Sequence, residues 1–311
     1  MIKILDIILA PITFFASIWL KLIRRYNVGL FRSRSNISKK IFEFVGVFPI
    51  TDNYYEPYVG KHRVEKNRLL TGIELKIEEQ LVLLEKFNFN DELLALNNLP
   101  KNPLIFSFFK GPFRSGDAEI CYNVVRFFQP SQIVEIGCGH SSMLMQHAIA
   151  KNQEINSNYS CNHICIEPFE AAYLKDLNVD HVKKSVTEMD LGIFKSLNAG
   201  DILFIDSSHI IRAGGDVLFE YLTILPVLKS GVLIHVHDIF TPNHYLKQWT
   251  ADGVNFWNEQ YLLEAFLSCN PNFEILLSVN FLKNSHYKAL KNVCPILEED
   301  REPGSFWMRR I

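Results

Sequence analysis

The chain has 311 residues, 48% of them hydrophobic and 21% charged, with 32 Lys+Arg against 34 Asp+Glu and a formal net charge of −2. At ~150 residues per domain this allows about two domains with substantial cores, so neither disulfides nor a structural metal is needed for stability. The apolar content excludes a mainly disordered chain, and the near-neutral total argues against a nucleic-acid partner, which requires a basic surface.

The first element is the strongly apolar run Ile2 to Ile23, in which Lys3, Asp6, Thr13, Ser17, Lys21 and Arg24 recur at three- and four-residue spacings, with the small Ala10 filling the gap between Asp6 and Thr13. Such spacing puts them on one narrow stripe of a helix. Pro11 removes a backbone donor and predicts a kink. No small-residue cleavage site follows the apolar run, which speaks against a signal peptide. A basic cluster comes next, made of Lys21, Arg24, Arg25, Arg32, Arg34, Lys39 and Lys40. The pattern predicts a helix lying in a membrane interface with its cations toward anionic lipid. A spanning helix and a helix packed on protein are the alternatives. Residues 1–40 hold eight Lys+Arg and one Asp, a net of +7, which leaves −9 for the remainder of a chain whose total is −2. The six cysteines form no CxxC pair, so a reduced, cytoplasmic setting is expected, peripheral to the inner membrane face. Cys161, His163 and Cys165 lack a second ligand pair for zinc.

Residues 41–114 read as a mainly helical cap region. It opens on an aromatic stretch to Tyr58, becomes helical near Ile77 to Phe87, and has a loop from Asn97 to Pro103. A further helix is predicted over Ala118 to Phe128. From Gln132 the pattern changes to short β-branched runs at Ile133–Ile136, His163–Ile166, His181–Lys184, Ile202–Asp206 and Val232–Val236. Helical stretches at Met143–Lys151, Phe169–Asp176 and Gly215–Leu228 alternate with them. Near-continuous apolar strands separated by helices indicate a parallel sheet covered on both faces. Phe273–Ser278 and Phe306–Arg310 are two more strands joined by an irregular stretch. The expected architecture is a doubly wound α/β domain over residues 115–311, with an N-terminal helical extension divided at residue 40.

Ligands in such sheets bind beyond the carboxyl ends of the strands, and chemistry-bearing residues cluster there in this sequence. The first strand runs into Glu135-Ile136-Gly137-Cys138-Gly139-His140-Ser141-Ser142, where the glycines permit a sharp turn and close backbone approach. A dinucleotide fingerprint would need a glycine where Ser142 stands, so a ligand without pyrophosphate is favoured. Glu167 closes the second strand, where a carboxylate can accept both hydroxyls of a ribose. The fourth strand delivers Asp206-Ser207-Ser208-His209 and the fifth His235-Val236-His237-Asp238. Strand alternation puts His235 and His237 on one face. His235 by itself reads as a satisfied buried histidine; the remaining acids and imidazoles converge where titratable groups perform chemistry.

These residues resemble the class I S-adenosylmethionine-dependent methyltransferases, and within that class the bacterial small-molecule O-methyltransferases. The likeness rests on Val134 to Gly139, on Glu167, and on the block from Asp206 to Asp238; Ser115 to Glu119 is similar to the loop preceding that domain. It implies a Rossmann-like sheet with S-adenosylmethionine as cofactor. Glu135, Gly137, Cys138, Gly139, Ser141 and Ser142 would line its methionine end and Glu167 its ribose. Ser185 and Val186 would lie near the adenine, and Asp206 beneath the sulfonium.

Methyl transfer to a hydroxyl needs alignment and removal of a proton, a task suited to an imidazole. His209 or His237 is the expected base, oriented by Asp206 or Asp238. A divalent metal is a second route: Asp206 and Asp238 match two ligand places of catechol-type relatives, but Ile239 stands at the third and His237 would have to substitute. The expected acceptor is a small molecule, a sugar or a lipid-linked intermediate. Aromatics at Tyr54–Tyr58, Phe106–Phe113, Trp249 and Phe256-Trp257 are candidates for an apolar lid. A nicotinamide oxidoreductase and a non-catalytic scaffold on the same fold are the competing readings.

Overall fold

A computed structural model describes residues 2–30, 37–47, 49–50, 57, 68–99, 106–169, 172–252 and 255–311. The chain divides into two compact units, one of Met1–Arg63 with Lys247–Phe256 and one of Val64–Leu246 with Trp257–Ile311. The first unit holds helices α1 (Ile2–Leu30) and α2 (Ile37–Val45). Pro11 sits inside α1. Of the expected basic cluster, Arg32 and Arg34 lie outside the described residues, as do Tyr54, Tyr55, Glu56 and Tyr58 of the aromatic stretch.

The second unit is built on a seven-stranded sheet of order β3-β2-β1-β4-β5-β7-β6. Its strands are β1 (Gln132–Ile136), β2 (Asn162–Ile166), β3 (Asp180–Val182), β4 (Ile202–Ile205), β5 (Leu233–Val236), β6 (Phe273–Ser278) and β7 (Phe306–Arg310). Pairings from β3 through to β5 are parallel, whereas β7 runs antiparallel to both β5 and β6. The strand order reverses direction between β1 and β4, which creates the crevice where this topology binds ligands.

Helices α3 (Ile77–Glu85), α4 (Asn90–Asn97), α5 (Asp117–Phe128), α6 (His140–Ile155), α7 (Gly192–Lys195), α8 (Asp216–Phe219), α9 (Glu259–Leu267), α10 (Val279–Ser285) and α11 (Tyr287–Val293) belong to this unit. Side-chain alternation along the strands makes two cores. Ile133, Phe204, Leu233 and Trp307 join the layer of α5 and α6, while Val134, Ile136, Leu203, Ile234 and Met308 face the layer holding Phe194, Tyr221 and Leu263. Helix α3 packs on β6 and on α11. The expected division at 114/115 is therefore not followed: α3 and α4 bury Leu84, Leu93 and Leu96 in the same core as the sheet. Two helices, α10 and α11, fill the stretch expected to be irregular.

Candidate active site

Backbone hydrogen bonds draw the carboxyl ends of the parallel strands together. The Gly137 amide donates to Ile166 O at 3.1 Å, Glu167 to Val182 O at 3.2 Å, Asp206 to Ile136 O at 2.9 Å and His237 to Ile205 O at 2.9 Å. Gly137 has φ of +80°, and a Cβ added there would stand 1.8 Å from the carbonyl oxygen of Asp206. Only glycine fits, because the turn after β1 presses directly against the end of β4.

The structure revises several of the expected cofactor contacts. Glu135 is wholly buried, and its carboxylate accepts from Ser141 Oγ at 2.5 Å and Ser142 Oγ at 2.6 Å while contacting His163 Nε2 at 2.9 Å. Glu135, Ser141 and Ser142 therefore brace the turn from below instead of lining the cleft. Sheet register explains it: Glu135 lies between Cys165 on β2 and Phe204 on β4, on the face turned to α6. Burial pulls the His163 pKa down, but Cys165 and Glu135 outweigh it and raise it to about 10. Cys138 Sγ, Cys165 Sγ and a Glu135 carboxylate oxygen lie within 4.8 Å of one another, and Cys161 is not among them. Val186 is packed in the apolar core, and Ser185 caps its own turn by accepting the Thr187 amide. Glu167 stays half-buried at the end of β2, its Oε1 accepting the Phe169 amide at 2.9 Å. Cys138 and Gly139 continue the turn into α6, with the Gly139 amide donating to Ser142 Oγ at 3.0 Å.

Beside this turn lies an acid–imidazole cluster. His209 Nε2 is 3.4 Å from Asp206 Oδ1 and 3.4 Å from Asp238 Oδ2, and its Nδ1 is 2.8 Å from Glu259 Oε2. His237 Nε2 is 3.6 Å from Asp238 Oδ1. Burial pulls the His209 pKa down, but Asp206, Glu259 and Asp238 overcome it and hold the ring well above its usual range. Both ring nitrogens face carboxylates, which favour the charged form of the ring. His209, expected as a base, is thus held in place with carboxylates on both ring nitrogens. His237 is also raised: burial opposes, and Asp238 and Asp206 prevail. Burial raises the Asp206 pKa, yet His237 and His209 together bring it below the usual carboxylate range. For Asp238 burial dominates and raises the pKa. The side chains of Asp206 and Asp238 keep 25% and 15% exposure, so both carboxylates remain accessible. His235 is fully buried, stacked on Phe204 at 3.8 Å and contacting Ser305 Oγ at 3.1 Å. Burial and His237 keep it neutral, the ordinary core histidine expected from the sequence.

Two of these groups are aimed by backbone that side chains rarely adopt. His209 and Asp238 have φ of +59° and +56°, a conformation that costs of order 1–3 kcal/mol per residue. The His209 carbonyl is clamped by the amides of Asn258 (2.9 Å) and Glu259 (3.2 Å) at the start of α9. Asp238 is packed against Gly304, where a Cβ would come within 2.9 Å of the Asp238 Cα. Asp117 Oδ1 in turn accepts the amides of Gly304 and Ser305, both at 2.7 Å. The Ser115–Glu119 loop is therefore a brace for the site.

Asp206, His209 and Asp238 each offer one ligand atom, and these atoms lie within 4.8 Å of one another. His209, not His237, completes this group. Glu259 fixing the far nitrogen is the arrangement that orients a metal-binding imidazole, so the residues fit a divalent cation. Glu259 was missed from sequence because it sits 50 residues from His209, in a segment with no motif. Of the candidate lid aromatics, Phe106, Phe108 and Phe113 are core residues, and Phe113 lies 5.2 Å from His237. Trp257 leans on His209 at 4.8 Å.

Residues 134–239 match the family model described as a methyltransferase domain. That segment, similar to a methyltransferase domain, carries the parallel strands β1, β2, β3, β4 and β5 described above. An uncharacterized protein of Archaeoglobus fulgidus is 28% identical over 145 residues, covering 43% of this chain; the chain spans 62% of that relative's length. An O-methyltransferase from Bacillus cereus, solved in complex with SAH, is similar at 11% identity and a TM-score of 0.41, over 73% of this chain and 100% of that one.

Proposed function

We propose that the chain binds S-adenosylmethionine in the crevice between the ends of β1, β2 and β4 and transfers its methyl group to an acceptor hydroxyl. The observation that carries this reading is the contact of the Gly137 turn with Asp206, which sets a cofactor-sized turn beside the acid–imidazole cluster. The cofactor supplies a methyl group on positively charged sulfur. Glu167 accepts from the ribose hydroxyls at the end of β2, and the free amides at the start of α6 favour the cofactor's carboxylate. Gly137 and Gly139 allow the backbone to approach it. Asp238 accepts the hydroxyl proton, and His209, held by Glu259, keeps Asp238 and Asp206 in place. Trp257 beside His209 offers the acceptor an apolar wall. If a divalent cation binds, Asp206, His209 and Asp238 would hold it and it would supply Lewis-acid stabilisation of the acceptor oxygen.

The acceptor class supported is a hydroxylated small molecule, a sugar or a lipid-linked intermediate, reached from the cytoplasmic side. The test is transfer from labelled cofactor to a hydroxylated panel, with and without divalent cations, alongside calorimetric binding. Glu167→Ala is expected to weaken cofactor binding at least tenfold, about 1.4 kcal/mol. Unchanged affinity would remove the ribose assignment. Tight NAD binding with no response to S-adenosylmethionine would overturn the whole reading.

A further inference from the structure

Helix α1 leaves the apolar side chains of Leu5–Ile23 unburied. Leu5–Ile23 is long and apolar enough to cross a membrane, and none of it is buried by protein. Ile7 is 73% exposed, Ile12 67%, Phe15 70% and Trp19 63%. At about 100° per residue, the apolar positions cover all but roughly an 80° sector, which holds Asp6, Ala10, Thr13, Ser17 and Lys21. A helix packed on this protein would bury one side of that surface, and α1 buries none of this window.

Charge decides between lying in the interface and crossing the bilayer. An interfacial helix carries a strongly charged polar face along its length. Between Ile7 and Leu20 this helix has no charged residue at all; Asp6 marks one end and Lys21 the other. The 19 residues of Leu5–Ile23 span about 28 Å at 1.5 Å each, close to the ~30 Å hydrocarbon thickness. Thr13 Oγ1 donates back to Leu9 O at 3.1 Å, so its hydroxyl is satisfied within the helix. From Lys21 to Lys40 there are seven Lys+Arg and no acid, the bias that holds a segment on the cytoplasmic side. Helix α2 adds an independent observation. Ile37, Ile41, Phe44 and Val45 share one helical face and are 75%, 54%, 92% and 62% exposed, with Lys40 at its border. That short amphipathic face fits the headgroup boundary.

We propose that α1 crosses a lipid bilayer and α2 lies in its anionic headgroup layer, leaving the methyltransferase domain on the basic, cytoplasmic side. The interface helix expected from the sequence is replaced by a spanning one, because the charges sit at the ends of the apolar window and not along it. This inference stands apart from the catalytic reading, since its measurement does not depend on turnover. The test expresses the full chain, isolates membranes and extracts them with alkaline carbonate and then with detergent. The full chain is expected to resist carbonate and to be released only by detergent. Ile12→Lys with Phe15→Lys is expected to lower the carbonate-resistant fraction at least tenfold, with S-adenosylhomocysteine binding by the purified variant confirming that the fold persists. Protease added to sealed inside-out vesicles is expected to cleave after residue 40. Release of the full chain by carbonate, recovery in the soluble fraction, or unchanged resistance in the double variant would each overturn the span. Protection of the methyltransferase domain in inside-out vesicles would overturn the orientation.

Discussion

Substituting alanine at Gly137 tests the central geometry, because the structure separates its two costs. The first is conformational: φ of +80° is a region side chains rarely occupy, worth about 1–3 kcal/mol. The second is steric. The new Cβ would lie 1.8 Å from Asp206 O and 2.8 Å from its carbonyl carbon, and both are backbone, so no side chain can swing aside. Forced separation of the two strand ends costs about 1–3 kcal/mol by overpacking. It also breaks the 2.9 Å hydrogen bond from Asp206 N–H to Ile136 O, worth about 1 kcal/mol. The expected total is about 3–7 kcal/mol, a large share of the ~5–15 kcal/mol that holds a typical domain together. Gly200 is the control, with φ of +89° and nothing within 4 Å of an added Cβ; Gly200→Ala should cost only the conformational part, about 1–3 kcal/mol. Chemical denaturation gives the stabilities, and calorimetric titration of S-adenosylhomocysteine gives the affinities. Gly137→Ala should bind at least tenfold more weakly, and Gly200→Ala should bind as the parent does. Equal destabilisation by the two variants, with affinity intact in both, would refute the claim that this turn and Asp206 form one site.

Glu259→Gln keeps size but removes the buried charge on His209 Nδ1. A loss of 10–100-fold in methyl transfer is expected, about the usual effect of a partner that orients a site imidazole, with cofactor affinity unchanged. The pH profile should move too, because Glu259 helps hold His209 charged; an unmoved profile and rate would exclude the positioning role. Glu119 is buried and accepts the amides of Gly116 and Ile296, yet burial raises its pKa to about 7. The folded pKa exceeds the unfolded one, so this contribution is full below about pH 4.3 and is lost as pH rises through about 7. Its size is about 4 kcal/mol at most. Denaturation midpoints of Glu119→Gln should lack that decline, and a parallel decline in both proteins would rule it out.

The strands were legible because each is a short apolar run whose alternation and neighbours agree. All seven predicted runs overlap strands β1 to β7. The helices were read less completely for identifiable reasons. Helix α4 opens with Asn90-Asp91, residues that read as a turn until Leu93 and Leu96 find the core. Helices α9, α10 and α11 are seven to nine residues long, too short for a period to stand out. The predicted helix Gly215–Leu228 is α-helical only over Asp216–Phe219, widens to a π-helix over Glu220–Ile224 and ends in a 3-10 turn at Leu225–Val227, where Pro226 lacks the amide needed to continue the ladder. At the site, the strand-end rule found Asp206, His209, His237 and Asp238 directly. It could not tell which imidazole nitrogen faces which carboxylate, and that depends on Glu259 arriving from α9. Glu135 was misplaced for a related reason: its position in the motif is clear, but the register with Cys165 and Phe204 turns it to the helix side.

The charge balance around His209 links these details to the chemistry. Asp206, Asp238 and Glu259 surround one imidazole, and each favours its protonated form. With Nδ1 on Glu259 and Nε2 facing Asp206 and Asp238, both of its nitrogens are already engaged. The acidic side chains are the groups with capacity left. Of the two that reach the cleft, Asp206 is shifted below the usual carboxylate range and Asp238 above it, which is why Asp238 is the proton acceptor we propose. The same three negative charges favour positive charge arriving at an acceptor oxygen during transfer, provided they cannot move to meet it beforehand. The strained conformations at His209 and Asp238, fixed by Asn258 on one side and by Asp117 through Gly304 on the other, are what hold them still.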